Sequence, residues 1–443
     1  MEPFQKDSPN DASDRPIYTG KRLVLINKDA GNAQIDKETQ NASLRLVFSS
    51  DYSTHEEDYV EAFEKADGIV FEKFGVAVIN ENHEEEVNRL TSSPNARRTF
   101  LYDEPERFVY ALEIQKKPSL LTNIWALICK IFGVKPPNNP PENPENPQLP
   151  PLPDSFEDGE TAFWGVSAIG AGQSEFTGKS ISLAILDTGF FMGHTGFTDR
   201  EVIAKSFIQG ETAEDGNGHG THCAGNAVGS FRTGTQTRYG AATAANLYVG
   251  KVLSNAGVGR DSGILAGMEW ALVKGCKIIS MSLGAPSQPG QTYSRIFNDL
   301  GQMAMENGTL IIAAAGNDSR RSQGIIRPVN HPANCPSILA VAALDRFLKV
   351  ADFSCGGINP DGGEVDIAGP GVGVFSSYIA PHNYAFLSGT SMATPFVAGI
   401  TAMLWEKHPN ASAEEIKSLL LKGARKLELL SKDVGAGLAQ APL

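Results

Sequence analysis

Cysteine is scarce in this sequence and without pattern: five in 443 residues, at Cys129, Cys223, Cys276, Cys335 and Cys355. An odd count with no paired spacing excludes a disulfide framework and a zinc ribbon. Long apolar runs are missing as well, and none reaches the length that spans a bilayer. Residues 1–16, MEPFQKDSPNDASDRP, have neither the basic start nor the apolar centre of a secretory leader. These absences predict a cytoplasmic protein, or a secreted one if a leader precedes this sequence. Basic charge is also short: 38 Lys and Arg stand against 51 Asp and Glu, a net charge of −13. That excludes nucleic acid as the main partner and disfavours contact with an anionic membrane. Glycine is plentiful, with 45 residues, and the length suits two or three domains.

Residues 1–18 are polar and read as disordered. From Lys21 the text becomes structured: RLVLINKD, SLRLVFSSD, GIVFEKFGVAVIN and RTFLYDEPERFVYAL read as strands. YVEAFEKAD and NHEEEVNRLTSS read as helices, the second with its acids early, where the helix dipole favours them. Two helices among about four strands in residues 19–116 predict a small α+β open-faced sandwich. Residues 117–160 combine an apolar stretch at 119–135, with Trp125, Ile128, Ile131 and Phe132 near helical spacing, and a proline-rich extended linker. A helix packed on a neighbouring domain is the favoured reading of that stretch; an interfacial membrane anchor is the other. In residues 161–443, apolar runs such as SISLAILDT, CKIISMSLG and TLIIAAAGN alternate with helical patterns such as DSGILAGMEWALVKG. This predicts an α/β unit whose mostly parallel sheet is covered by helices on both faces.

The chemistry centres on residues 386–404, FLSGTSMATPFVAGITAML. Met392, Ala393, Phe396, Val397, Ile400 and Leu404 recur at helical spacing, and Pro395 is expected in the first turn, where a missing N–H costs least. Ser391, at the mouth of this helix, is either a plain N-cap or a nucleophile whose oxyanion the free backbone N–H groups would stabilise. A nucleophile needs a base and a group to orient it. ISLAILDTG ends an apolar strand in Asp187, and GNGHGTHCAG sets His219 between glycines at a loop-to-helix junction. An Asp, a His and a Ser at three element ends can assemble orienter, base and nucleophile. His222 is expected to bond structure beneath the site, and Cys223 to be a small buried residue beside the base.

ILDTG, HGTHCAG and GTSMATP, in that order, resemble the three motifs of the subtilisin-like (subtilase) serine peptidases. Cys223, and ADFS followed by VDIAGPG, resemble the proteinase K branch. The likeness covers about residues 160–443, and a looser one links residues 19–116 to the family's inhibitor-like prodomain. The resemblance implies a serine endopeptidase working through an acyl-enzyme, made as a zymogen held shut in cis by its prodomain. It implies peptide or protein substrates bound by strand addition. Asn317 would complete the oxyanion hole, with Thr390 buttressing its amide. Ser282, Leu283, Gly284, Ala314 and Gly316 would wall the specificity pocket, with Gly257 on the opposite edge. Arg320, Arg321 and Arg327 lie near its floor, where they would either favour an acidic substrate residue or, the favoured reading, be solvated. His331–Pro332 would be a cis peptide. The family's strong calcium site lacks its aspartate, because Gly196 stands in its place. A weaker calcium site would use Pro336, Ile338 and Asp366, unless Asp366 only bridges loops. Activation would cut the chain between about Leu112 and Glu160. Two other functions suit the same motifs: a peptide ligase or macrocyclase, which needs a lid that excludes water, and a catalytically silent peptide-binding module.

Overall fold

The computed structural model describes residues 15–52, 63, 65–112, 153 and 155–443. The readings made for residues 1–14, most of the helix YVEAFEKAD, the apolar stretch 119–135 and nearly all of the proline-rich linker lie outside these residues.

The N-terminal unit runs β1 (Tyr18–Ile26), α1 (Asn32–Asn41), β2 (Leu46–Phe48), β3 (Gly68–Phe71), β4 (Val76–Ile79), α2 (Glu84–Ser92) and β5 (Phe100–Ala111). Its strands are ordered β5-β1-β4-β3-β2, antiparallel except for β2 with β3. Side chains alternate across a strand, and here the alternation divides the sheet between two cores. Val24, Ile26, Val70, Ala77 and Ile79 pack with Ile35 of α1 and with Val87 and Leu90 of α2. Leu23, Leu25, Ile69, Phe71, Val76 and Val78 face the other way and join the core of the larger unit. α2 carries Glu84, Glu85 and Glu86 in its first turn, as expected. α1 was not anticipated. Its sequence, NAQIDKETQN, offers Ile35 as its one large apolar residue, and only Ile35 and Thr39, four apart, are buried.

The larger unit opens with α3 (Trp164–Ala168) and is built on β6 (Ser182–Asp187), β7 (Val202–Ser206), α4 (His219–Val228), β8 (Asn246–Lys251), β9 (Val258–Arg260) and α5 (Asp261–Val273). It continues through β10 (Ile278–Met281), β11 (Leu283–Gly284), α6 (Arg295–Glu306), β12 (Leu310–Ala314), β13 (Leu339–Leu344) and β14 (Ile367–Pro370). The hairpin β15 (Val374–Ser377) and β16 (Tyr384–Leu387) precedes α7 (Thr390–Lys407), α8 (Ala413–Gly423) and α9 (Ser431–Val434). Seven strands form a parallel sheet in the order β14-β13-β12-β10-β6-β8-β7, flanked by helices, so the α/β expectation holds. Its central strands are wholly buried, which is why they read as continuous rather than alternating apolar runs. α7 packs against five of them and is buried from Thr390 to Trp405, a helix apolar on every side. α8 starts at a capping box, Ser412 with Glu415.

β9 and β11 do not join the parallel sheet. They pair with the two edges of β5, so the last strand of the N-terminal unit lies between two strands of the larger one. The carboxyl ends of β6, β8, β10 and β12 open toward this junction, the end at which open α/β sheets carry their sites.

Candidate active site

Asp187 ends β6 and His219 opens α4, and both are fully buried. Asp187 Oδ1 accepts from its neighbour's amide, Thr188 N, at 2.7 Å and meets His219 Nδ1 at 2.7 Å. The loop before His219 is shaped by Asp215, whose carboxylate accepts from Asn217 N, Gly218 N, Thr221 N and the hydroxyls of Thr188 and Thr221. Gly218 sits at φ +104°, where an added Cβ would lie 2.4 Å from the Tyr378 ring, so glycine is required by backbone and space together. Burial alone would push the His219 pKa down, but the adjoining Asp187 charge prevails and holds it well above the ordinary value. His222 is the reverse case: burial, reinforced by the His219 charge, pushes it down to about 3. Its Nε2 meets the carbonyls of Val374 and Ala385, which ties α4 to the β15–β16 hairpin, the structural role expected of it. Burial pushes the Cys223 thiol up to about 11, so it stays protonated, 3.5 Å from the Ser391 carbonyl.

Ser391 is the second residue of α7. Its hydroxyl donates to the Ser282 carbonyl at 3.0 Å, while His219 Nε2 is buried without a hydrogen-bond partner. The structure thus joins Asp187 to His219 and turns the Ser391 hydroxyl to a different acceptor. Pro395 departs from expectation: it is the sixth helical residue, past the first turn. Its missing N–H would have bonded the carbonyl four residues back, that of Ser391. That carbonyl accepts instead from the Ser282 hydroxyl, at 2.9 Å, and from the Cys223 thiol. Ser282 therefore holds Ser391 at both its carbonyl and its hydroxyl, a function that sequence analysis had missed. Pro395, four residues after Ser391, was the available signal.

Asn317 is fixed by its own acceptor. Its Oδ1 accepts from both the amide and the hydroxyl of Thr390, each at 2.9 Å, which turns Nδ2 toward the cleft. Nδ2 donates to the Leu112 carbonyl at 2.7 Å. Leu112 N reaches the Ser282 carbonyl at 3.3 Å, and Ala111 N the Gly257 carbonyl at 3.0 Å. Register pairs Ala111 with Leu283 and Tyr110 with Gly284 on one side, and Tyr110 with Val258 and Val109 with Gly259 on the other. Gly284 leaves no room for a side chain: a Cβ would meet the His331 carbonyl at 2.7 Å and Leu112 Cδ1 at 3.2 Å. Gly316 donates to the Thr390 hydroxyl, and Ala314 is buried at the end of β12. The His331–Pro332 peptide is cis, as is Ala380–Pro381.

Carboxylates anchor β5 in this position. Glu104 caps α6, accepting from Ser294 Oγ at 2.6 Å, Arg295 N at 2.8 Å and Ile296 N at 3.3 Å. Glu106, fully buried, accepts from Ser262 N in the first turn of α5 at 3.0 Å. Such groups satisfy amides that have no partner inside the helix, and each contributes about 1 kcal/mol, up to about 2 when partly buried. Arg107 and His331 converge on buried Asp261, at 3.4 Å and 2.9 Å.

Gly196 does not fit a strong cation site. It brings no side-chain ligand, and a Cβ there would be crowded at 3.2 Å by His194 and by the Tyr239 hydroxyl. Asp366, just before β14, is tied to strand β13: its Oδ2 accepts from Ala340 N at 2.8 Å. Burial, with Glu364 adding like charge, pushes its carboxyl up to about 6, an environment that a cation would relieve. Arg321 corrects the solvated reading: it pairs with Asp433 at 2.8 Å and donates to the Ser354 carbonyl. Among the described residues no helix is long and apolar enough to cross a membrane.

The subtilase family model matches residues 178–437. Subtilisin DY of Bacillus licheniformis is 37% identical over 274 residues, which cover 60% of this chain and 93% of that protein. Subtilisin Savinase of Lederbergia lenta is 36% identical over 288 residues, covering 63% and 96%. The match takes in Asp187, His219, Asn317 and Ser391 together with the parallel sheet that carries them, and the chain belongs to the subtilase family as a subtilisin-like serine endopeptidase.

Proposed function

We propose that Ser391 is the nucleophile, His219 its base and Asp187 the orienting carboxylate, with Asn317 stabilising the oxyanion, and that residues 19–112 inhibit this site in cis. The observation that carries the proposal is the Leu112 carbonyl, 2.7 Å from Asn317 Nδ2 at the end of a strand paired on both edges. That is how the residue before a scissile bond would lie, so the bond Leu112–Glu113 is the processing site. In the reacting state the Ser391 hydroxyl leaves the Ser282 carbonyl for His219 Nε2 and attacks the carbonyl carbon. His219 takes the proton, and Asp187 offsets the imidazolium charge. Asn317 Nδ2 then holds the oxygen, a contact worth about 10²–10³ in rate. The imidazolium protonates the leaving amine, and water releases the acyl-enzyme.

Peptides are the substrates, bound by the strand addition that β5 displays, and Leu112 points to an apolar residue before the cut. Calcium, if taken, is held by the Pro336 and Ile338 carbonyls with Asp366. The four described cysteines form no disulfide, which suits a reducing compartment such as the cytoplasm.

The test is a fluorophosphonate probe on the full chain, with N-terminal sequencing of any product. Label on Ser391 and a new terminus at Glu113 are the expected results. An intact, fully active chain would remove the zymogen reading. Absence of label alongside tight peptide binding would favour the silent binding module, and products joined to an added amine would favour the ligase.

A further inference from the structure

Lys251, the last residue of β8, is wholly buried, and register places it beside Asp187 on one strand and Ser206 on the other. An ammonium in that position is costly unless its three donors are used. They are: Nζ meets the Glu211 carboxylate at 3.0 Å, Asn255 Oδ1 at 2.9 Å and the Thr188 carbonyl. The three partners come from three separate segments of the chain, around residues 188, 211 and 255. Thr188 follows Asp187, and its hydroxyl accepts from Gly220 N, next to His219, at 2.8 Å. Glu211 also accepts from Asn255 N at 2.9 Å. Asn255 Oδ1 accepts in addition from Gly216 N at 2.9 Å, and its carbonyl from Asn217 Nδ2 at 3.1 Å, both in the loop that leads to His219. Two residues beyond Asn255 lies Gly257, whose carbonyl holds the backbone of β5.

One buried cation therefore joins the Asp187 turn, the His219 loop and the cleft edge at 257–260. We propose that Lys251, with Glu211 and Asn255, is a positioning unit coupling a peptide paired along that edge to the Asp187–His219 pair, so that the enzyme takes extended peptides and turns the remote contact into rate. This rests on the peptidase assignment of the site. Displacing the edge by an unpaired peptide end shifts Asn255, and with it the hydrogen bonds that fix residues 216–219. A small misplacement of a reacting group costs far more in turnover than in binding. Lys251 itself touches neither Ser391 nor the segment in the cleft among the contacts described; it acts through Thr188 and Asn255.

The test uses wild type, Glu211→Gln and Lys251→Met, each expressed as the full chain, allowed to process and counted by fluorophosphonate titration, on peptides with one to four residues before the cut. Wild-type kcat is expected to rise about tenfold across that series, and the rise to shrink below about threefold in both variants while KM keeps its length dependence. Glu211→Gln, which keeps a neutral acceptor and lies at a partly exposed position, serves if Lys251→Met fails to fold. A merely structural role would lower the count of titrated sites and leave kcat per site unchanged. A wild-type rise of kcat per site in Glu211→Gln, or an equal loss at every peptide length, overturns the coupling. A wild-type chain that neither cuts peptides nor takes label at Ser391 strikes the peptidase assignment, and the proposal falls with it.

Discussion

The two sheets of this protein are completed by opposite means. The parallel sheet of the larger unit is covered by helices of its own unit, and strands such as LIIAA and LAVAAL are buried throughout. The N-terminal sheet covers one face with α1 and α2, but Leu23, Leu25, Phe71, Val76 and Val78 pack into the larger unit's core. Even its edge strand, β5, is completed by β9 and β11. One region thus supplies both the sheet and the groups of the site, and the other needs that region to bury its second face. At about 25 cal/mol per Å² of apolar surface, covering several such side chains favours docking by a few kcal/mol. An inhibitor built this way is held by fold as well as by the cleft.

The largest expected effect breaks the comparison from the catalytic side. Ser391→Ala should lower turnover by roughly three orders of magnitude or more and leave residues 1–443 as one uncut chain. Its fold should survive, because only a hydroxyl bonded to the Ser282 carbonyl is removed. Peptide hydrolysis and the mass of the purified chain check both halves, and a product ending at Leu112 would reject Ser391 as the nucleophile.

The next effect tests the docked side. Glu104→Ala with Glu106→Ala removes the acceptors at the starts of α6 and α5 and should weaken inhibition by residues 1–112, added in trans to processed enzyme, about 10- to 1000-fold. Inhibition unchanged in the double variant would mean that the apolar face and the strand pairing alone hold the unit in place.

How much of this was legible differs between the same two regions. Continuous apolar strands and long motifs announced the parallel sheet and the enzyme class, because a doubly covered sheet and a fixed catalytic geometry leave few residue choices. Ser282, Leu283, Gly284, Gly257 and Asn317 all contact residues 110–112, and the expected contact of Thr390 with the Asn317 amide is present. Contacts made by ordinary residues at long sequence separation were not legible. Ser282 bonds a carbonyl that Pro395 leaves free, 109 residues away in the chain. Lys251 sits inside the apolar run NLYVGKVL, where nothing nearby in sequence names Glu211 as its partner, and Arg321 reads as solvated until Asp433 is beside it. α1 was missed because a helix with one large apolar residue has no periodicity to detect.

Two buried titrating groups of the larger unit sharpen the comparison further, with opposite signs. His222, held at about 3 in the fold and near 6.5 when unfolded, binds its proton more readily in the unfolded chain. Its contribution is present above pH 6.5 and is lost as pH falls toward 3, by about 1.4 kcal/mol per pH unit. Urea midpoints of the Ser391→Ala chain from pH 7 to 4 should therefore fall steeply, and His222→Gln should flatten that slope by about one proton. An unchanged slope would mean that another group governs acid unfolding.

Asp366 gives the smallest effect. Its folded pKa of about 6 lies above the ordinary carboxylate value, so its contribution is present below about pH 4 and is lost as pH rises through 6. At neutral pH the ionised, largely buried carboxylate opposes folding by about 1–3 kcal/mol, and two remedies are available: a cation or a neutral side chain. Calcium at about 1 mM, bound with a weak site's Kd of about 0.1–1 mM, would stabilise the fold by about 0.4–1.4 kcal/mol, a few degrees at most in Tm. Asp366→Asn keeps an acceptor for Ala340 N and should raise the metal-free Tm at pH 7 while abolishing any response to calcium. Thermal unfolding of the Ser391→Ala chain with calcium, magnesium or a chelator separates the possibilities. A calcium response that survives in Asp366→Asn would move the site elsewhere. No response in either chain would leave Asp366 as the tie it makes to Ala340 of β13, and the Asn variant would then be the more stable chain under every metal condition.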